Sequence, residues 1–172
     1  MTFSRLALRD AAVIAIVVAF WRLAAPVTAG SGPVADVLGV LAGLAVTLAF
    51  YLLHEWGHLA GALATASFVH PPPRLTSRSL FSFDSKRNDR RQFLVMSVGG
   101  FVVTGLAVWT AYAELPAELL ATRVARGGVG VLALLAVFVE LPLVFWALLR
   151  SDLPPVEAFT VAEATETDAR AT

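Results

Sequence analysis

The strongest constraint on this chain is the stretch LLHEWGHLAGAL, residues 52–63, which sets a His-Glu-x-x-His pattern inside a long apolar run. Helical residues four apart share a face, so His54 and His58 can turn two imidazole nitrogens towards one metal ion with Glu55 beside them. Ionisable side chains at membrane depth are costly unless they are paired or coordinated. Three of them within five residues of an apolar helix point to a metal site, and two of the chain's three histidines are spent there.

Membrane depth is itself an inference from composition. Of the 172 residues, 58% are hydrophobic and the mean hydropathy is +0.74, an excess too large for a soluble core. The expected fold is an all-α integral membrane protein of about four transmembrane helices. The chain has no cysteine, so any metal must be held by His, Asp or Glu. Its formal net charge is zero, but six of its thirteen basic residues (Arg74, Arg78, Lys86, Arg87, Arg90 and Arg91) fall in one stretch, against Asp84 and Asp89. By the positive-inside rule this marks a cytoplasmic connection, a topology signal and not a nucleic-acid surface.

Arg5 and Arg9 precede an apolar run over residues 11–21, followed by Arg22, Pro26 and a Gly/Ser-rich turn at 30–33. This predicts a first membrane helix with a cytoplasmic lead; the rival reading is a cleaved signal peptide, with Val27 and Ala29 as the small residues before the cut. A second helix is expected over about residues 34–68. At 1.5 Å per residue, its apolar part crosses a hydrocarbon core of about 30 Å with length to spare. Gly57 and Gly61, with Ala60, Ala62 and Ala64, predict close packing of another helix. Three prolines at 71–73 end the second helix, and the loose alternation over 74–83 predicts a short strand or hairpin at the membrane surface. A third helix is expected over about 93–113, carrying Ser97, Gly100 and Thr104 at helical spacing. After the segment ELPAELLATRVARGG, a fourth is expected over about 129–149. The acidic end of the chain has little that can pack and is expected to be disordered. The chain thus divides into a first helix and turn (1–33), a membrane core (34–150) and a tail (151–172), with both termini cytoplasmic.

The third metal ligand is sought among the remaining acids. Glu140 lies in VFVELPLVFW, two residues before Pro142, which removes an N–H and kinks the helix. The second and fourth helices run in the same direction in a four-span topology, and the histidines and Glu140 lie about 15 Å from the corresponding helix ends. Two histidines and a carboxylate at one level, with a fourth position for water, form the ligand set of a catalytic zinc site. Asp152 competes from the cytoplasmic boundary, and Asp84 and His70 from the loop. Thr47 and Tyr51, on the histidine face, are candidate partners for an imidazole N–H.

The HEWGHLAGA stretch, the polar loop with its predicted hairpin, the SVGGFVVTG opening of the next helix and a later acidic residue together resemble the site-2 protease family of intramembrane zinc metalloproteases. The resemblance covers about residues 41–152. It implies a three-helix catalytic core, Zn2+ held by His54, His58 and a carboxylate, Glu55 as catalytic base, and a membrane protein substrate met within the lipid bilayer. The expected location is the bacterial inner (plasma) membrane. Where the family has Gly-Pro-x-x-Asn, this chain has Gly100, Phe101, Val102, Val103 and Thr104, which puts Thr104 in the substrate-positioning place. Where the family's last ligand is the aspartate of Leu-Asp-Gly, the nearest equivalents are Glu140-Leu141-Pro142 and then Asp152-Leu153-Pro154. Ala64 stands where a metzincin would have its third histidine. Two readings follow: hydrolysis of peptide bonds inside the membrane, with residues 80–83 holding the substrate by β-addition, or a zinc-binding membrane protein without turnover. The other helices carry too few polar residues for a metal transporter.

Overall fold

Four helices long and apolar enough to cross a membrane make up most of the computed structural model, which describes residues 2–72, 74, 80–150 and 152–154. In chain order they are α1 (Phe3–Thr28), α2 (Pro33–Ala64), α3 (Arg90–Trp109, extended by the π-helical stretch Thr110–Glu114) and a composite fourth span. That span comprises α4 (Leu120–Leu135), a π-helical turn (Ala136–Glu140) and α5 (Leu141–Leu149). Between α2 and α3, strands β1 (Val69–His70) and β2 (Ser82–Phe83) pair antiparallel, Val69 with Phe83 and His70 with Ser82. The all-α architecture with a small hairpin in the long polar connection is thus as expected. The middle of that connection, residues 75–79, and the tail beyond Pro154 lie outside the described residues.

Small side chains set the register of the bundle around α2. A Cβ on Gly57 would lie 2.6 Å from the carbonyl oxygen of Gly99, and one on Gly61 would run into the carbonyl of Val95, so α2 and α3 cross with their backbones in contact and run antiparallel. On another side of α2, Gly39 lies against Leu120, Gly43 against Val124, and Thr47 against Gly128. Those pairings ascend together, so α4 runs parallel to α2. Helix α1 descends along α2, with Ala24 near Ala42, and Asp10 and Leu6 near Trp56 and Leu59.

Three boundaries differ from the sequence-based expectation, each for a local reason. Helix α2 stops at Ala64, short of residue 68. Ala66 adopts a left-handed conformation (φ 51°), the Ser67 N–H returns to the carbonyl of Ala62 at 2.9 Å, and the Asn88 amide bonds both the N–H and the carbonyl of Phe68. Helix α3 starts three residues early at Arg90, because Asp89 and Gln92 form a reciprocal capping box at 2.8 Å in each direction. The fourth span begins at Leu120 and not near 129. Its Arg126 turns back to donate to the carbonyls of Ala111, Tyr112 and Leu115, which end the π-helical stretch, so a charge that argued for a loop is used as a cap.

These contacts make the α2–α3 crossing the tightest point of the bundle. Gly57→Ala is expected to lower stability by about 1–3 kcal/mol through overpacking. Gly105→Ala, on the same α3 but with open space at its Cβ position, leaves it unchanged or slightly raised. Thermal unfolding of the two variants in one detergent checks this, with Gly57→Ala showing the lower Tm.

Candidate metal centre

The two histidines stand on one face of α2, as their spacing requires, with ring centroids 4.5 Å apart and planes at 85°. What orients them is α3. The Nδ1 of His58 lies 3.0 Å from the carbonyl oxygen of Met96, and the Nδ1 of His54 lies 3.2 Å from that of Gly100 and 2.8 Å from the Thr104 hydroxyl. A carbonyl only accepts, so each Nδ1 carries the proton and donates it, and each Nε2 is left as a bare lone pair. These bonds need the rings close to the α3 backbone. Gly100 allows it, since a Cβ there would fall within the His58 ring.

The two Nε2 atoms face each other at 3.1 Å. Glu140 closes the triangle, with Oε1 at 3.0 Å from the Nε2 of His54 and Oε2 at 3.4 Å from that of His58. Oε2 is buried and makes no hydrogen bond. Glu140 reaches this position from the last residue of the π-helical turn, just before Leu141 and Pro142. A π turn carries one residue more than an α turn, and without it the bearing of Glu140 about the helix axis would change by about 100°. The expected proline kink is thus realised as a wide turn with the acid at its end.

Three lone-pair groups converge here with no proton between them. One proton added to either ring can serve one neighbour only, and it leaves the other lone pairs in contact. A cation at the centre meets all three. The Nε2–Nε2 spacing of 3.1 Å and the His54 Nε2–Oε1 spacing of 3.0 Å are close to the edges, about 3.3 Å, of a tetrahedral site with metal–ligand bonds of about 2.0 Å. His54, His58 and Glu140 can therefore hold a metal ion as a His2Glu group.

The other candidates fall elsewhere. Glu55 is outside this triad and lies beside the backbone of Leu80, in the segment leading to β2. Thr104, expected to face substrate, is buried behind His54 with its hydroxyl on Nδ1. Asp152 is exposed, and His70 and Asp84 face each other at 3.9 Å beside the hairpin; none of these joins the triad. Thr47, a candidate imidazole partner, bonds the carbonyl of Gly43 on its own helix at 3.0 Å and packs on Gly128. The imidazole N–H partners are instead the Met96 and Gly100 carbonyls, which no side-chain pattern announces. Asp10 was also missed: it is 2% exposed and accepts the indole N–H of Trp56, in the middle of the HEWGH stretch, at 2.9 Å.

Purified protein is expected to bind one divalent ion per chain, measured by elemental analysis. His54→Ala or His58→Ala should abolish binding and Glu140→Gln weaken it, while Asp152→Asn leaves it unchanged. Thr104→Val, which removes the hydroxyl behind His54, should weaken affinity about 10- to 100-fold. Comparison with protein-family models, with curated proteins and with solved structures finds no match to the chain.

Proposed function

We propose that the protein is a zinc metallopeptidase that hydrolyses peptide bonds of membrane-embedded protein substrates. The observation that carries this reading is the pairing of a buried His2Glu ligand triad with a second carboxylate, Glu55, one residue from the first histidine and not consumed as a ligand. A site built only to store or be stabilised by a metal has no use for that acid. When bound, zinc would polarise the scissile carbonyl and lower the pKa of a coordinated water.

The chain's own residues do the remainder. His54 and His58 present Nε2 lone pairs fixed by the α3 carbonyls, and Glu140 adds the negative charge that makes the site selective for a dication. Glu55 takes a proton from the attacking water and delivers it to the amine as the C–N bond breaks. The Leu80 backbone lies beside that carboxylate. The four spans would sit in the bacterial inner membrane with the 65–89 connection and both termini in the cytoplasm. This orientation is supported by the basic stretch and by contacts gathering at one end of the bundle: Leu6 on Leu80, Arg90 on the carbonyl of Arg150, and Ser85 on that of Pro154.

A second reading, a zinc-binding protein without turnover, is favoured by one observation. Thr104 stands in the place the resemblance gives to substrate positioning, and its hydroxyl is engaged on His54. Glu55→Gln separates the two. The metallopeptidase reading expects full zinc occupancy with cleavage of membrane-anchored test substrates reduced at least about a hundredfold. Zinc-loaded wild type that cleaves no member of a broad substrate panel, or cleavage undiminished by Glu55→Gln, contradicts it.

A further inference from the structure

Trp56 occupies one of the two positions that the His-Glu-x-x-His pattern leaves open. It lies about 200° around α2 from His54, so it faces away from the histidines and towards α1. There its indole N–H meets the carboxylate of Asp10 at 2.9 Å. Asp10 is almost fully buried on an apolar helix, and its other oxygen is held by the guanidinium Nε of Arg9 at 2.7 Å. A charged acid at such a place is costly and would be packed more cheaply by a leucine, so its specific contact needs a reason.

The surroundings supply one. Leu6 and Leu59, both fully buried, and Leu80, 3% exposed, form one cluster with Trp56, Phe3, Val69 and Phe81 against them. Leu6 lies one helical turn before Asp10, and Leu59 follows Trp56 by three residues. The same short stretch of α1 therefore bonds the motif helix through Asp10 and shares one buried cluster with Leu59 and Leu80 through Leu6. The Leu80 backbone in turn lies beside the Glu55 carboxylate.

We propose that Asp10 is a positioning residue for Glu55: by fixing the Trp56 indole it seats α1 on α2, and the Leu6–Leu59–Leu80 cluster then holds the Leu80 backbone beside the Glu55 carboxylate. The first helix is thus a working part of the site although it supplies no ligand. This rests on the reading of Glu55 as the base, but the positional half can be tested without it. It also accounts for the tryptophan, which the metal does not require.

The test uses the full-length protein in detergent with Asp10→Ala, Asp10→Glu and Trp56→Phe, and reads hydrogen–deuterium exchange of the segment containing Leu80, zinc stoichiometry, and kcat and KM on a cleaved substrate. Asp10→Ala and Trp56→Phe are expected to speed exchange at Leu80 while zinc stays at one per chain. They should lower kcat about 10- to 100-fold with KM little changed, and Asp10→Glu should recover part of both losses. Unchanged Leu80 exchange in both variants overturns the proposal. So does exchange that rises equally over all four spans, which marks a merely structural contact. If Asp10→Ala does not fold, Trp56→Phe, which keeps the ring and removes only the bond, decides alone. If wild type cleaves nothing but Leu80 exchange responds as expected, the positioning stands and the hydrolase reading fails.

Discussion

Two hydrogen bonds from α2 to the backbone of α3 decide what this site is. Helical carbonyls have a second lone pair beyond the one used in the helix, and Met96 and Gly100 offer theirs to the Nδ1 protons of His58 and His54. The tautomers follow, and with them the two inward lone pairs that, beside Glu140, call for a cation. In an apolar surrounding the same bonds satisfy two polar groups that water cannot reach, so they serve stability and chemistry together.

The rest of the bundle is arranged to permit that approach. Gly57 and Gly99 bring the α2 and α3 backbones together, and Gly100 leaves the space that the His58 ring fills. Parallel packing of α4 along α2, through Gly43 and Gly128, carries the fourth span to the same depth, and the π-helical turn gives Glu140 its bearing. Each of these features is a close contact or an irregular turn, and neither is needed to fill a core. They make sense as the means of bringing one carboxylate from α5's entrance to 3.0 and 3.4 Å from two imidazoles on α2.

Much of this was legible in the sequence because membrane insertion makes polar residues informative. Four apolar runs gave the spans, and the HEWGH spacing with a lone acid in the last span gave the three residues that converge. Depth reckoned from helix ends was enough to prefer Glu140 over Asp152. What was hidden lies in backbone detail. The Met96 and Gly100 carbonyls have no sequence signature, the π turn before Pro142 reads as a simple kink, and Arg123 and Arg126 read as loop residues when they sit in the first two turns of a helix. Asp10 was visible as an acid at the edge of an apolar run, but only its contact with Trp56 gives it meaning.

The central claim is that His54, His58 and Glu140 hold one metal ion through Nε2, Nε2 and a carboxylate oxygen. X-ray absorption spectroscopy at the zinc edge on the loaded protein tests this most directly. The account predicts a low-coordinate site of nitrogen and oxygen donors at about 2.0 Å with the outer-shell scattering of two imidazoles, and loss of that bound-zinc spectrum in His58→Ala. A spectrum with no imidazole contribution, or one unchanged by Glu140→Gln and by loss of either histidine, would contradict it.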